Sequence, residues 1–296
     1  MIEEYVLSCC STVDLTPQFL ALRNIAWVPF HFELDGISYR DDMGQSMSYP
    51  AFYQAMLQGA DTKTSQVNVQ EYLDHFESFL LQGKDILHVC FSSGLSGTFN
   101  SAQIAANMLS QKYPNRSIFV VDSLCASSGY GLLMDKLASL RDKGMPIAEL
   151  AVWTEANRLK VNHWFFSTDL KFYVKGGRVS KTAGLVGTAL RICPLLTMDK
   201  EGKLAPYKKI RTKRVAIEET LLQMIKHAEN ATNYSGKVFI CHSECLKDAQ
   251  TLAGKIEKFF PHLEAPVEIF YVGTTIGSHT GPGTVSLFFW GDARTA

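Results

Sequence analysis

The segment Ser92-Ser93-Gly94-Leu95-Ser96-Gly97-Thr98 gathers two glycines and four hydroxyl side chains within seven positions. The preceding residues 85–91 form a short apolar run of buried-strand type. Beyond the turn, Ala102, Ile104, Ala105, Met108 and Leu109 recur at helical spacing. A strand, a tight turn and a helix N-terminus therefore meet here. Unpaired N–H groups and the positive end of a helix dipole favour an anion at such a joint. Glycine admits a ligand close to the backbone, and the hydroxyls add donors. The same residues also suit a plain helix cap following a strand.

Three further segments carry candidate chemistry: residues 61–66, residues 175–178 and residues 273–283. A serine such as Ser93 activated by His279 would be hydrolase chemistry. Against it, Gly94-Leu95-Ser96-Gly97 is not a G-x-S-x-G elbow, and no aspartate is marked as a third member. His279, flanked by glycines, reads either as a ligand contact or as a loop histidine bonded to backbone. Arg178 and Arg211, on their own residue types, read as solvated surface charge. Asp122 reads as the cap of the turn that follows it.

Strands are expected at residues 5–10, 25–34, 37–40, 85–91, 117–121, 163–168, 193–198, 204–211, 238–241, 267–272 and 285–290. Helices are expected at residues 48–57, 69–81, 126–140, 212–228 and 244–260, with a short helical turn at residues 170–174. Residues 182–192, rich in small side chains, suit close packing on a neighbour or a ligand. Residues 61–66 and 273–283 read as loops. Alternating strands and helices predict α/β architecture with a parallel sheet in the first part, and ligands then sit beyond the carboxyl ends of the strands. The pattern changes near residue 160, which divides the chain into residues 1–160 and residues 161–296.

The 296 residues can bury a large core, and the composition (46% hydrophobic, 20% charged) is that of a globular protein. Lys plus Arg and Asp plus Glu are both 29, so no overall field draws in nucleic acid. No apolar run is long enough to span a bilayer, and the acidic start, Met1-Ile2-Glu3-Glu4, is unlike a signal peptide; a cytoplasmic address is expected. The seven cysteines include no C-x-x-C pair. Cys241-His242-Ser243-Glu244-Cys245 lacks a second ligand cluster, so no metal is expected. No Walker-type glycine–lysine loop is present either.

Taken together, these segments resemble the DegV family of bacterial fatty-acid-binding proteins. The matching residues are Lys63-Thr64-Ser65-Gln66, the run from Ser92 to Ala102, Val121-Asp122-Ser123, Lys175-Gly176-Gly177-Arg178-Val179-Ser180-Lys181, Lys209-Ile210-Arg211-Thr212-Lys213 and Gly277-Ser278-His279-Thr280-Gly281-Pro282-Gly283. They keep their order over nearly the whole chain. The resemblance implies two α/β domains, an N-terminal one on a parallel sheet and a C-terminal one on a mixed sheet, with an acyl chain between them. It also implies a non-enzymatic carrier subunit of a fatty acid kinase, with no cofactor beyond the bound fatty acid. Such a carrier presents the carboxylate to a separate ATP-using subunit, and the acyl phosphate feeds phospholipid synthesis. Carried over by position, the carboxylate site is Thr64, Ser65, Ser92, Ser93, Gly94, His279 and Thr280, and the kinase contacts are Arg178 and Arg211. The family commonly begins Asp-Ser-Thr where this chain has Cys10-Ser11-Thr12, and it has prolines where Val67 and Val69 stand. The alternative is an enzyme built on Ser93 and His279, either a serine acyl-hydrolase or a small-carbonyl binder similar to dihydroxyacetone kinase.

Overall fold

The structure, a computed structural model, describes residues 5–168, 170–179 and 193–295. The chain opens with β1 (Tyr5–Cys10), α1 (Pro17–Leu22), β2 (Ile25–Val28), β3 (His31–Leu34) and β4 (Ile37–Arg40). Next come α2 (Tyr49–Leu57), β5 (Thr62–Ser65), α3 (Val69–Leu80), β6 (Asp85–Cys90), α4 (Thr98–Lys112) and β7 (Ile118–Asp122). Two helices, α5 (Ser127–Asp142) and α6 (Ile147–Asn157), lead to β8 (Val161–Ser167), α7 (Lys171–Lys175), β9 (Leu195–Met198) and β10 (Leu204–Lys208). The last elements are α8 (Lys213–His227), β11 (Phe239–His242), α9 (Leu246–Phe259), β12 (Glu268–Tyr271), α10 (Thr274–Thr280) and β13 (Thr284–Trp290).

Strands β2-β1-β6-β7 form a parallel sheet, as the apolar runs of β1 and β6 predict for strands covered on both faces. The second sheet, β10-β9-β8-β13-β11-β12, is mixed: β11 and β12 run parallel and the other pairs antiparallel. The expected α/β class with a parallel and a mixed sheet is therefore observed. Strands of the parallel sheet precede residue 123 and those of the mixed sheet follow residue 160, and on that ground we propose residue 160 as the unit boundary. Helix α5 packs on β8, β11 and β13 as well as on β1, so one helical layer serves both sheets.

A third sheet, β4-β3-β5, corrects two expectations. Residues 25–34 are not one strand: Pro29 and Phe30 separate β2, in the parallel sheet, from β3, which turns away to pair with β4 and β5. Residues 61–66 are not a loop, because β5 pairs antiparallel with β3, with Phe32 opposite Thr64. Their polar side chains hide a strand whose stability comes from pairing, not from its own burial pattern. Residues 273–283 form helix α10 followed by Gly281 and Gly283 at φ of 69° and 88°, a conformation that favours glycine. Residues 182–192 lie outside the described residues.

Helix α10 is capped from a distance. Asp41 Oδ2 accepts hydrogen bonds from Thr275 Oγ1 (2.6 Å) and from Ser11 Oγ (3.2 Å), and the backbone of Thr275 also bonds this carboxylate. Ser11 Oγ in turn accepts from the Phe30 amide at 3.1 Å. Removing the carboxylate strands several buried donors. Asp41→Ala is therefore expected to lower unfolding stability by about 2 kcal/mol, read as a lower urea midpoint at unchanged slope; an unshifted midpoint would show that the cap carries no weight.

Candidate functional site

A cavity of about 300 Å³ lies where the three sheets meet. Its wall is largely apolar: Phe30 and Phe91 come from the first part of the chain, and Phe165, Met198, Val272 and Phe288 from the second. Many polar residues on the wall are already engaged elsewhere. The Ser127 hydroxyl donates to the Asp14 carboxylate, Thr275 to Asp41, and His163 Nε2 accepts from the Ala126 amide at 3.2 Å. The interior thus presents carbon to an occupant.

Polar groups collect in one region. Thr64 from β5, Arg178 just after α7, and His279 and Thr280 from the end of α10 all line the cavity. Thr64 Oγ1 and His279 Nε2 stand 2.7 Å apart. His279 Nδ1 and Thr280 Oγ1 are buried with no hydrogen-bond partner among the described residues. Burial, followed by the nearby Arg178 charge, pushes the His279 imidazole down to about 4, so the ring is neutral at pH 7. The half-buried Arg178 guanidinium donates to the carbonyls of Gly176 (2.5 Å) and Leu95 (3.3 Å). It has no carboxylate partner among the described residues. A neutral imidazole, two hydroxyls and an arginine without a counter-ion form a ready receptor for one carboxylate.

This corner is fixed from several sides. Thr62 Oγ1 donates to the Ser278 carbonyl at 3.3 Å, tying α10 to β5, and the Tyr53 hydroxyl to the Val272 carbonyl at 2.7 Å, tying α2 to the segment that leads into α10. Gly176 is needed for clearance, since a Cβ there would lie 2.3 Å from His279 Nδ1.

The turn at the head of α4 is organised differently from the open anion site its sequence suggests. The Ser93 amide donates to Asp122 Oδ1 at 3.1 Å, and the Leu124 amide to the same oxygen at 3.0 Å. The amides of Leu95 and Ser96 are taken by the Ser92 carbonyl. A carboxylate of the chain itself thus fills part of the joint. Ser92 Oγ is buried and donates to the Gly202 carbonyl at 2.7 Å, and Gly94 packs against the same β9–β10 turn. Ser65, Ser92, Ser93 and Gly94 do not line the cavity, whereas Leu95, Ser96 and Gly97 do. Ser65 and Ser93 are exposed, and no hydrogen bond joins Ser93 to His279 among the described residues. Arg211 is exposed and away from the cavity lining.

Sequence reasoning missed Gln66, Ser96, Phe165 and Tyr173 as cavity residues; the last two lie in segments read as a strand and as a short helical turn, with no residue type that marks a ligand contact. Cys10, which stands where the family commonly has aspartate, is fully buried, with Tyr72 Oη at 3.3 Å from its sulfur and its thiol pushed up to about 11 by burial. In the 241–245 segment, Cys241 bonds Ser128 and the Cys245 thiol donates to the Thr284 carbonyl. Among the described residues no group of three His, Cys, Asp or Glu side chains could hold a metal, and no helix is long and apolar enough to cross a membrane.

A family model described as the uncharacterised DegV family matches residues 10–292. A DegV domain-containing protein of Clostridium perfringens is 34% identical over 292 residues, covering 99% of each chain. Among solved structures, a DegV family protein of Thermus thermophilus described by its fatty acid binding superposes with a TM-score of 0.87 at 26% identity. It covers 97% of this chain and 99% of its own. The Streptococcus pneumoniae fatty acid kinase B3 protein, loaded with linoleic acid, has a TM-score of 0.83 at 23% identity, covering 97% and 99%; at that identity the likeness is one of fold.

The depressed imidazole gives a direct test with a defined sign. Because the folded ring resists protonation, its contribution to stability is complete above the unfolded value near 6.5 and declines as pH falls from there toward about 4. NMR titration of His279 is expected to show a midpoint near 4; an ordinary midpoint would mean that the ring is solvated and the corner open.

Proposed function

Because the chain belongs to the DegV family, we propose that it carries a long-chain fatty acid in this cavity and presents the carboxylate to a separate ATP-using kinase subunit. The observation that carries the reading is the pairing of a carbon-lined cavity with one polar corner, where Thr64, His279, Thr280 and Arg178 meet. The description of the Thermus thermophilus relative as fatty acid binding supports the ligand class. The motif resemblance supports the partner, and the pneumococcal protein that shares the fold is described as a fatty acid kinase B3 protein.

The head group and the tail contribute differently. Each methylene moved from water to carbon gains about 0.8 kcal/mol, so the tail supplies most of the affinity. The carboxylate supplies position. If His279 Nε2 donates to Thr64 Oγ1, the threonine hydroxyl hydrogen is free to donate to the acid, and Arg178 balances its charge from the same side. Ser92 and Gly94 act in this reading through the turn they pack against, with Ser93 and Ser65 on the outer side, where the acid would be handed over. Exposed Arg211 suits an acidic face of the kinase, and half-buried Arg178 touches both ligand and partner. The product, an acyl phosphate, is an activated acyl donor for phospholipid synthesis.

The hydrolase alternative lacks its nucleophile–base contact: Ser93 is off the cavity wall, and His279 Nε2 is engaged by Thr64.

Native mass spectrometry of protein purified from bacterial cells is expected to show an added mass of one fatty acid. Protein that emerges empty and ignores added oleate contradicts the proposal. Thr64→Ala is expected to weaken oleate binding roughly tenfold, the worth of one charge-assisted hydrogen bond. In a reconstituted kinase assay Arg211→Ala should bind oleate normally yet slow acyl phosphate formation, while Arg178→Ala should impair both. Wild-type phosphorylation by Arg211→Ala would remove that residue from the partner surface.

A further inference from the structure

Arg294 lies beyond the family match, which ends at residue 292, and yet its side chain is buried. One end of its guanidinium donates to the Asp199 carbonyl at 2.9 Å. The other donates to the Leu124 carbonyl at 2.6 Å, with the Arg158 carbonyl at 3.5 Å. The Arg294 amide itself is held by the Leu159 carbonyl at 2.9 Å. No carboxylate forms an ion pair with this buried cation among the described residues. A desolvated guanidinium whose partners are carbonyls spends its fixed fork of donors on tying separate segments together.

The segments it joins flank the cavity. Asp199 opens the β9–β10 turn, which is rigid in itself: the Asp199 carbonyl also accepts from the Gly202 amide at 3.1 Å, and Asp199 Oδ1 from the Glu201 and Lys203 amides, both at 2.9 Å. On either side of the turn, Met198 and Leu204 pair across the hairpin, and both side chains line the cavity. The turn rests on the head of α4, where Ser92 Oγ reaches the Gly202 carbonyl and where Leu95, Ser96 and Gly97 complete the wall. Among the described residues the hairpin's outer strand, β10, pairs with β9 alone, so the turn depends on these contacts to stay down.

We propose that Arg294 is a positioning residue that pins the β9–β10 turn against the parallel-sheet side and so keeps the cavity wall closed over the acyl chain, which sets how fast the ligand leaves. The proposal rests on the carrier reading for its ligand but not for its mechanics.

The test compares wild type, Arg294→Met, which keeps an unbranched stem without the fork, and Arg294→Lys, whose ammonium can reach a single carbonyl. Release of a fluorescent fatty acid into excess unlabelled oleate is expected to accelerate roughly fivefold to tenfold in Arg294→Met and less in Arg294→Lys, with association little changed. Hydrogen exchange at the Gly202 and Lys203 amides should rise in the same order while β1 and β6 keep their protection, a local pattern that general destabilisation does not give. If Arg294→Met does not fold, the comparison of Arg294→Lys with wild type decides by the same two readings. Wild-type release and wild-type protection in the variant overturn the clasp. A wild-type protein that takes up no fatty acid overturns the carrier reading instead, and exchange at the turn then decides the clasp alone.

Discussion

The bond between Thr64 Oγ1 and His279 Nε2, 2.7 Å long, joins a strand of the small antiparallel sheet to a helix that arrives from the far end of the chain. Neither partner is placed by its own neighbours in sequence. Thr64 sits opposite Phe32 because β5 pairs with β3, and His279 is set by the distant cap of Asp41 on α10 and by Thr62 beneath Ser278. The bond forms only when both halves of the chain are folded together, so the polar corner is a product of the whole tertiary structure.

Burial then gives the corner its chemistry. A solvated histidine beside an arginine would exchange protons with water near neutrality, but this ring is kept neutral and is available as a hydrogen-bond partner. Among the described residues Arg178 has no counter-ion and the Thr280 hydroxyl has no partner. An acid brought to this point would meet charge and donors already in place, at little cost in reorganisation. Elsewhere on the wall many polar groups, Ser127 and Thr275 among them, are bonded into the protein, and most of the wall is carbon. One end is polar and the rest is not, and that asymmetry is what an amphipathic acid requires.

The parallel sheet was legible because β1, β6 and β7 are apolar runs followed by turn residues, a pattern that strands covered on both faces must have. The helices α2, α3 and α8 were legible as segments; the structure adds their caps, Ser48, Asn68 and Thr212. What failed was local reading of elements held by distant partners. Thr62–Ser65 looks like a loop without β3, and Thr274–Thr280 looks like one without the Asp41 cap. Thr64 and His279 could be singled out by motif resemblance, but their contact could not be read from two polar segments more than two hundred positions apart. The turn around Ser93 reads as an open anion site until Asp122 is seen to take the Ser93 amide and the Ser92 carbonyl those of Leu95 and Ser96. Arg294 carried no signal at all: a lone arginine in a polar tail has no period and no motif, and only its burial reveals it.

The central claim is that the acid group of a fatty acid lies at the Thr64–His279 corner with its tail along the carbon-lined wall. A crystal structure of the oleate complex tests it most directly. The account predicts a carboxylate oxygen within hydrogen-bond distance of Thr64 Oγ1 and the acyl chain in contact with Phe165 and Phe288. A head group bound anywhere else, or a chain lying outside this cavity, would contradict it.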